Sequence, residues 1–150
     1  MELHHWLQQQ AFFDFHRTHG IHVTQYSPFG NSNKIYGSRE QHGLLVNDDT
    51  LVEIGKKYGK SSNQVALGMS AILSFEMELT NFRSLGYLTR SFSFSKSKSP
   101  ERITQNFDIA LELEPSDIEK INSIDKKIRF NDSSKDFVYE LFTDLDGKQK

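Results

Sequence analysis

The spacing of hydrophobic residues changes period along this chain, and each change marks an element. Leu3 to Leu7 reads as a short strand. From Gln8 to His19 the spacing lengthens to that of a helix, with Ala11, Phe12, Phe15 and His19 on one face and Gly20 as a left-handed stop. Ile21 to Tyr26 alternates in the β-branched and aromatic style of a strand, and Ser27-Pro28-Phe29-Gly30 breaks it. The polar stretch from Asn31 to Asn47 holds two glycines and exceeds the usual connection length, so it reads as a functional or flexible loop.

Asp48 or Asp49 can cap the next helix, which carries Leu51, Val52, Ile54 and Tyr58 and stops at Gly59. Ser61-Ser62-Asn63-Gln64 has the spacing of a capping box, and Val65, Leu67, Met69 and Ile72 follow on a second helix. Serine and phenylalanine alternate from Ser91 to Ser95, predicting a strand. A helix is expected from Pro100 to about Asp108, and another behind Pro115-Ser116-Asp117, with Ile118, Ile121 and Ile124 on one face. The tail from Arg129 onward is irregular, with Phe130, Phe137, Tyr139 and Phe142 spread among polar residues.

Strands alternating with helices predict a parallel sheet, because parallel neighbours need crossover connections. About three strands can be counted, whereas an eight-stranded α/β barrel takes about 250 residues and commonly places a phosphate site after its last strands. The expected fold is therefore α/β: a partial (β/α)8 TIM barrel with only its C-terminal strands and helices, followed by an irregular tail.

Composition narrows the function. The 150 residues are 36% hydrophobic and 25% charged, enough for one domain with a buried core. A net charge of −2 and a pI near 6.3 argue against a general nucleic-acid binder. No apolar run approaches the roughly 18 to 20 residues of a membrane span, and Met1 to Trp6 lacks the pattern of a signal peptide. The absence of cysteine suits a reducing compartment, so the expected location is cytoplasmic.

The strongest chemical signal is Lys96-Ser97-Lys98-Ser99-Pro100-Glu101-Arg102, closed by Gln105-Asn106. Pro100 suits the first helical position and Ser99 can cap the first free amides. The positive helix end, flanked by Lys96, Lys98 and Arg102, favours an anion. The alternative for such a run is a solvated, well-capped surface helix.

The residues resemble the C-terminal half of the aldo-keto reductases, NADPH-dependent carbonyl reductases built on a (β/α)8 barrel, with a fungal flavour. The resemblance rests on Glu2-Leu3-His4, on the runs from Gly20 to Asn31, Leu51 to Leu67 and Lys96 to Asp108, and on the run from Leu113 to Asp132. It implies that Tyr26 stacks on the nicotinamide and that Ser27, Phe29 and Asn31 contact the pyrophosphate. It further implies that Lys96, Ser97, Ser99 and Arg102 hold the adenosine 2′-phosphate, while Gln105 and Asn106 contact adenine. A preference for NADPH follows from that cationic group.

The tyrosine, lysine, aspartate and histidine of family catalysis have no counterparts here, so no catalytic residue is assigned. His4, His5 and His16 read as hydrogen-bonded packing residues. The sequence also departs from the family at residues 68–95, a divergent insertion in which Ser95 stands where the family has proline. Residues 129–150 resemble the C-terminal loop over the substrate pocket, where Phe130 and Phe137 face either a substrate or the barrel rim.

The favoured expectation is the NADPH-binding portion of an aldo-keto reductase, with a small carbonyl compound as substrate in full-length relatives and no nucleic acid or membrane partner. The alternatives are a noncatalytic interaction or regulatory fragment that docks on a full partner barrel or on a complementing N-terminal chain, and an anion-binding domain unrelated to nicotinamide.

Overall fold

The computed structural model describes residues 1–31, 41–79, 92, 93, 95–134, 136, 137, 139, 141 and 142, excepting the side chains of residues 17, 71–79, 92 and 93. At its centre three extended segments lie side by side in parallel. Strand β1 (Thr24–Gln25) pairs with β2 (Phe92–Ser93), Thr24 opposite Phe92 and Gln25 opposite Ser93. On the other side of β1, Glu2 bridges Tyr26, with the Tyr26 N–H donating to Met1 O at 2.9 Å and the Leu3 N–H to Tyr26 O at 3.3 Å. The parallel order expected of alternating strands and helices is present.

The strand expected over Leu3 to Leu7 is shorter than its alternation suggested. After Leu3 the chain turns back on itself, His4 and Leu7 exchanging backbone hydrogen bonds of 3.2 and 2.8 Å. Gln9 closes this turn by donating its side-chain amide to the Glu2 carbonyl at 2.6 Å. Helix α1 (Gln10–Thr18) then ends at Gly20, whose φ of +66° suits a residue without a Cβ.

The apolar face predicted for α1 exists, yet the described residues do not cover it. Phe15 is 56% exposed, and Ala11 and His19 are exposed. Its rings pack along the helix surface instead, Phe12 on His16 with centroids 4.1 Å apart and Phe15 on His19 at 4.2 Å.

The core lies between α2 (Asp49–Tyr58), α3 (Ser62–Leu79) and α5 (Pro115–Ser123). Asp48 caps α2 by accepting the Thr50 N–H at 3.1 Å, and Gly59 ends it in the left-handed conformation. The capping box of α3 is formed reciprocally: the Ser61 N–H donates to Gln64 Oε1 at 2.9 Å and the Gln64 N–H to Ser61 Oγ at 3.3 Å. Leu51, Ile54, Val65, Met69 and Ile121 meet with Trp6 and Phe130 in one buried cluster. Gly68 lets the 109–111 segment cross α3 closely, since a Cβ there would stand 2.7 Å from Leu111 Cδ1.

One placement differs from the sequence reading, and another falls on one of its two alternatives, packing. Leu45, within the stretch read as a loop, is fully buried on a 3-10 turn (Leu45–Asn47), because its isobutyl group fills the core beside α2. Phe130, one of the two aromatics set between substrate and packing, is buried at 4% exposure and stacks on Trp6 at 6.1 Å. Of the divergent 68–95 stretch, the first part continues α3 as far as Leu79, and residues 80–91 and 94 lie outside the described residues. Among the described residues, no helix is long and apolar enough to cross a membrane.

Candidate functional site

Where β2 hands over to helix α4 (Pro100–Phe107), the chain from Lys96 to Ser99 lines a cleft of about 960 Å³. The local fold follows from residue chemistry. Ser99 adopts extended backbone and accepts the Arg102 N–H at 3.4 Å, and Pro100 begins the helix where an N–H would be unpaired. Ser97 braces the approach, its Oγ accepting the Ser99 N–H at 3.2 Å. Lys96, Ser97, Lys98, Ser99 and Arg102 all line the cleft, with Asn106 one helical turn beyond Arg102. Phe29, from the turn after β1, lines it as well.

The electrostatics set this cleft apart. Elsewhere Lys57, Lys60, Lys120, Lys126 and Lys127 each have a carboxylate within 4.0 Å. Among the described residues Lys96, Lys98 and Arg102 have none, so three cations share one concavity without a protein counter-charge. Such a cleft with a helix N-terminus in its wall can hold a phosphate through charge, hydroxyl donors and the helix dipole together. Its volume lies within the roughly 300 to 1,000 Å³ of small-molecule sites.

The structure thus brings together six of the ten residues singled out by sequence: Phe29, Lys96, Ser97, Ser99, Arg102 and Asn106. Gln105 is exposed on α4 outside the lining. Tyr26 stands at the end of β1, also outside it, with its ring 42% exposed. Burial pushes its hydroxyl above the usual tyrosine range, the nearby Glu2 carboxylate adds to this, and Arg129 opposes it.

Ser27 and Asn31 are tied together through Asn131, whose Nδ2 donates to Ser27 Oγ at 3.1 Å and whose Oδ1 accepts from Asn31 Nδ2 at 3.1 Å. Ser27 holds a φ of +57° to make this turn. Asn131 is held in turn by the buried Glu2, whose two oxygens accept the Phe130 and Asn131 N–H groups at 2.9 and 3.1 Å. Burial works against the Glu2 carboxylate, but its bonds to His4 and these two amides outweigh it and keep the group below its ordinary value.

Sequence reasoning missed Leu44, Val46 and Asn63, which complete the cleft, and Asn131, which braces the opposite loop. No motif flagged them. Asn63 sits inside the capping box and Leu44 and Val46 inside the polar loop, so each was hidden by a stronger local signal. Neither His4 nor His5 lines this cleft: His4 bonds Glu2 at 3.1 Å, and His5 is buried with its Nε2 donating to the Ala66 carbonyl at 3.1 Å. His16 likewise donates its Nδ1 to the Phe12 carbonyl. All three do the packing work expected of them.

A parallel α/β arrangement with a cationic helix start beyond a strand end defines the class: a part of an α/β barrel with a cationic cleft where a strand hands over to a helix. No family model matches the chain. Among curated proteins it is 35% identical over 135 residues to an uncharacterized oxidoreductase of Schizosaccharomyces pombe, covering 89% of this chain and 36% of that protein. It is 33% identical to an NAD(P)H-dependent D-xylose reductase of Pyricularia oryzae, covering 87% and 37%. Among solved structures an aldo/keto reductase from Brucella melitensis superposes with a TM-score of 0.58 at 28% identity, over 83% of this chain and 37% of the other. An aldo-keto reductase from a deep-sea metagenome superposes with the same score at 24% identity and shows the same fold. The chain is similar to a part of the aldo-keto reductases, spanning a little over a third of the length of the curated relatives it matches.

Proposed function

We propose that the cleft holds the adenosine 2′-phosphate end of NADPH, and that the chain supplies a cofactor-binding part of an enzyme reducing aldehydes or ketones to alcohols. The observation that carries this reading is the set of three cations, Lys96, Lys98 and Arg102, lining one cleft without an acidic partner among the described residues. An additional phosphoryl group, present in NADPH and absent from NADH, would neutralise them. A relative is NAD(P)H-dependent by name, and one solved neighbour, 23% identical, was crystallised in complex with NADPH.

In this reading Ser97 and Ser99 offer hydroxyl protons to the phosphate, since their oxygens accept backbone N–H groups and their protons can turn toward the cleft. Arg102 meets the phosphate with its fork of donors, and Asn106 and Gln105 attend the base. Ser27, Phe29 and Asn31 approach the pyrophosphate, and Tyr26 offers its exposed ring to the nicotinamide. When bound, the cofactor supplies the hydride that reduces a carbonyl. We assign no catalytic residue among these 150, and the location proposed is cytoplasmic.

Titration with NADPH and NADH, followed by Trp6 and tyrosine fluorescence, tests the reading. NADPH should bind tighter, and the difference should shrink as salt rises. Arg102→Ala should weaken NADPH about tenfold or more while leaving NADH nearly unchanged. Equal binding of the two would refute the 2′-phosphate assignment.

A second reading, a noncatalytic part that docks on a complementing chain, is favoured by the uncovered apolar surface on α1 and by Phe107 on α4, which is 85% exposed. Failure of both dinucleotides to bind would favour it.

A further inference from the structure

Among the described residues, Asn63 is the one polar side chain of the cleft that belongs neither to the basic run nor to α4. It lies in the first turn of α3, between Ser61 and Gln64, which spend their side chains on each other. Gln64 also donates to the Asp108 carbonyl at 2.9 Å, and Lys60 pairs with the Asp108 carboxylate at 2.6 Å. These bonds clamp the start of α3 against the end of α4, and Asn63 and Asn106 line the same cleft. The Asn63 side chain is half-buried, and its Oδ1 is shielded from water with no hydrogen-bond partner. A shielded amide oxygen left without a donor is unfavourable where it stands, and turning the amide toward the cleft opens it to a donor there.

We propose that Asn63 is a base-reading residue of this cleft, its amide pairing with the adenine ring of the dinucleotide. This rests on the NADPH reading above and deepens it. A primary amide carries an acceptor and a donor side by side, the complement of adenine's exocyclic amine and adjacent ring nitrogen. Rotation of the half-buried side chain presents that edge to the cleft, and Oδ1 gains the partner it lacks. Leu44 and Val46, which line the same cleft, offer apolar surface to the flat base, while Lys96, Lys98 and Arg102 take the phosphate. Base and phosphate are thereby read by different residues.

The test compares NADPH with its 1,N6-etheno analogue, in which the exocyclic amine has no N–H left to donate. The unaltered chain should bind NADPH about tenfold tighter than the analogue, the fold-change of one hydrogen bond. Asn63→Ala should abolish that preference yet keep the preference for NADPH over NADH, which belongs to Arg102 and the lysines. Asn63→Asp, whose carboxylate still accepts, should restore the preference for the amine-bearing base. If Asn63→Ala, confirmed as folded by circular dichroism, discriminates against the etheno analogue as before, the assignment is wrong even though the cleft binds NADPH. If the unaltered chain binds neither compound, the NADPH reading fails and this assignment with it.

Discussion

At the scale of single residues, the loop that follows β1 is fixed by one absent methyl group. Gly30 has a φ of +66°, and a Cβ there would stand 2.6 Å from Phe130 Cε2, inside the ring of a side chain buried against Trp6. Neither Phe130 nor the backbone can yield freely, since Glu2 holds the Phe130 N–H and the Gly30 N–H donates to Ser27 O at 2.8 Å. Gly30→Ala should therefore combine left-handed strain with overpacking and destabilise the chain by about 2 kcal/mol or more. Chemical denaturation would measure it. Because Phe29 and Ser27 flank this turn, dinucleotide binding should weaken along with stability. Gly43→Ala shares the positive φ but meets nothing within 4 Å, and should show the backbone strain alone.

At the scale of elements, helix α4 carries the cleft while burying nothing: among its eight residues none is buried. Its position depends on its cap and on the Asp108 bonds, so loss of the cap should be felt in function before stability. Ser99→Ala removes the acceptor of the Arg102 N–H and should cost about 1 kcal/mol of local helix stability. The expected result is a smaller preference for NADPH over NADH with a nearly unchanged melting temperature, because the core cluster lies elsewhere. A melting temperature that falls while the preference stays intact would contradict this. The same element shows what could be read in advance. Caps and stops are local, so Ser99-Pro100, the Ser61 and Gln64 box, and Gly20 and Gly59 were legible from neighbouring residues alone. Burial depends on what lies across the fold. The α1 face around Phe15 was legible as apolar but not as uncovered, and Leu45 was read as loop although it fills the core. Asn63 was masked by the capping box around it, since which wall of a cleft a capping segment faces is a matter of tertiary placement.

At the scale of the whole molecule, acid should loosen the structure in two stages, each tied to a buried group that joins distant segments. His5 comes first. Burial is the main cause that pushes its imidazole down to about 4 from the ordinary 6.5, its bond to the Ala66 carbonyl only partly opposing this. A group whose folded-state value lies below its unfolded value takes up its proton more readily when unfolded. The stability it supports is thus complete above pH 6.5 and drains away as pH falls toward 4, by about 3 kcal/mol in all. Glu2 follows at lower pH: its carboxylate is held below 4.5, so its contribution is present above that value and is lost as pH falls through the depressed one. Protonating Glu2 takes an acceptor from the Phe130 and Asn131 amides and so frees the brace behind Ser27 and Asn31. Thermal unfolding followed from pH 8 to pH 3.5 should therefore show a steady decline beginning near pH 6.5 and a steeper one below about 4.5. His5→Gln keeps a donor for the Ala66 carbonyl but cannot take up a proton, so it should flatten the first decline and leave the second. An unchanged slope between pH 6.5 and 4 in that variant would place the acid sensitivity outside His5.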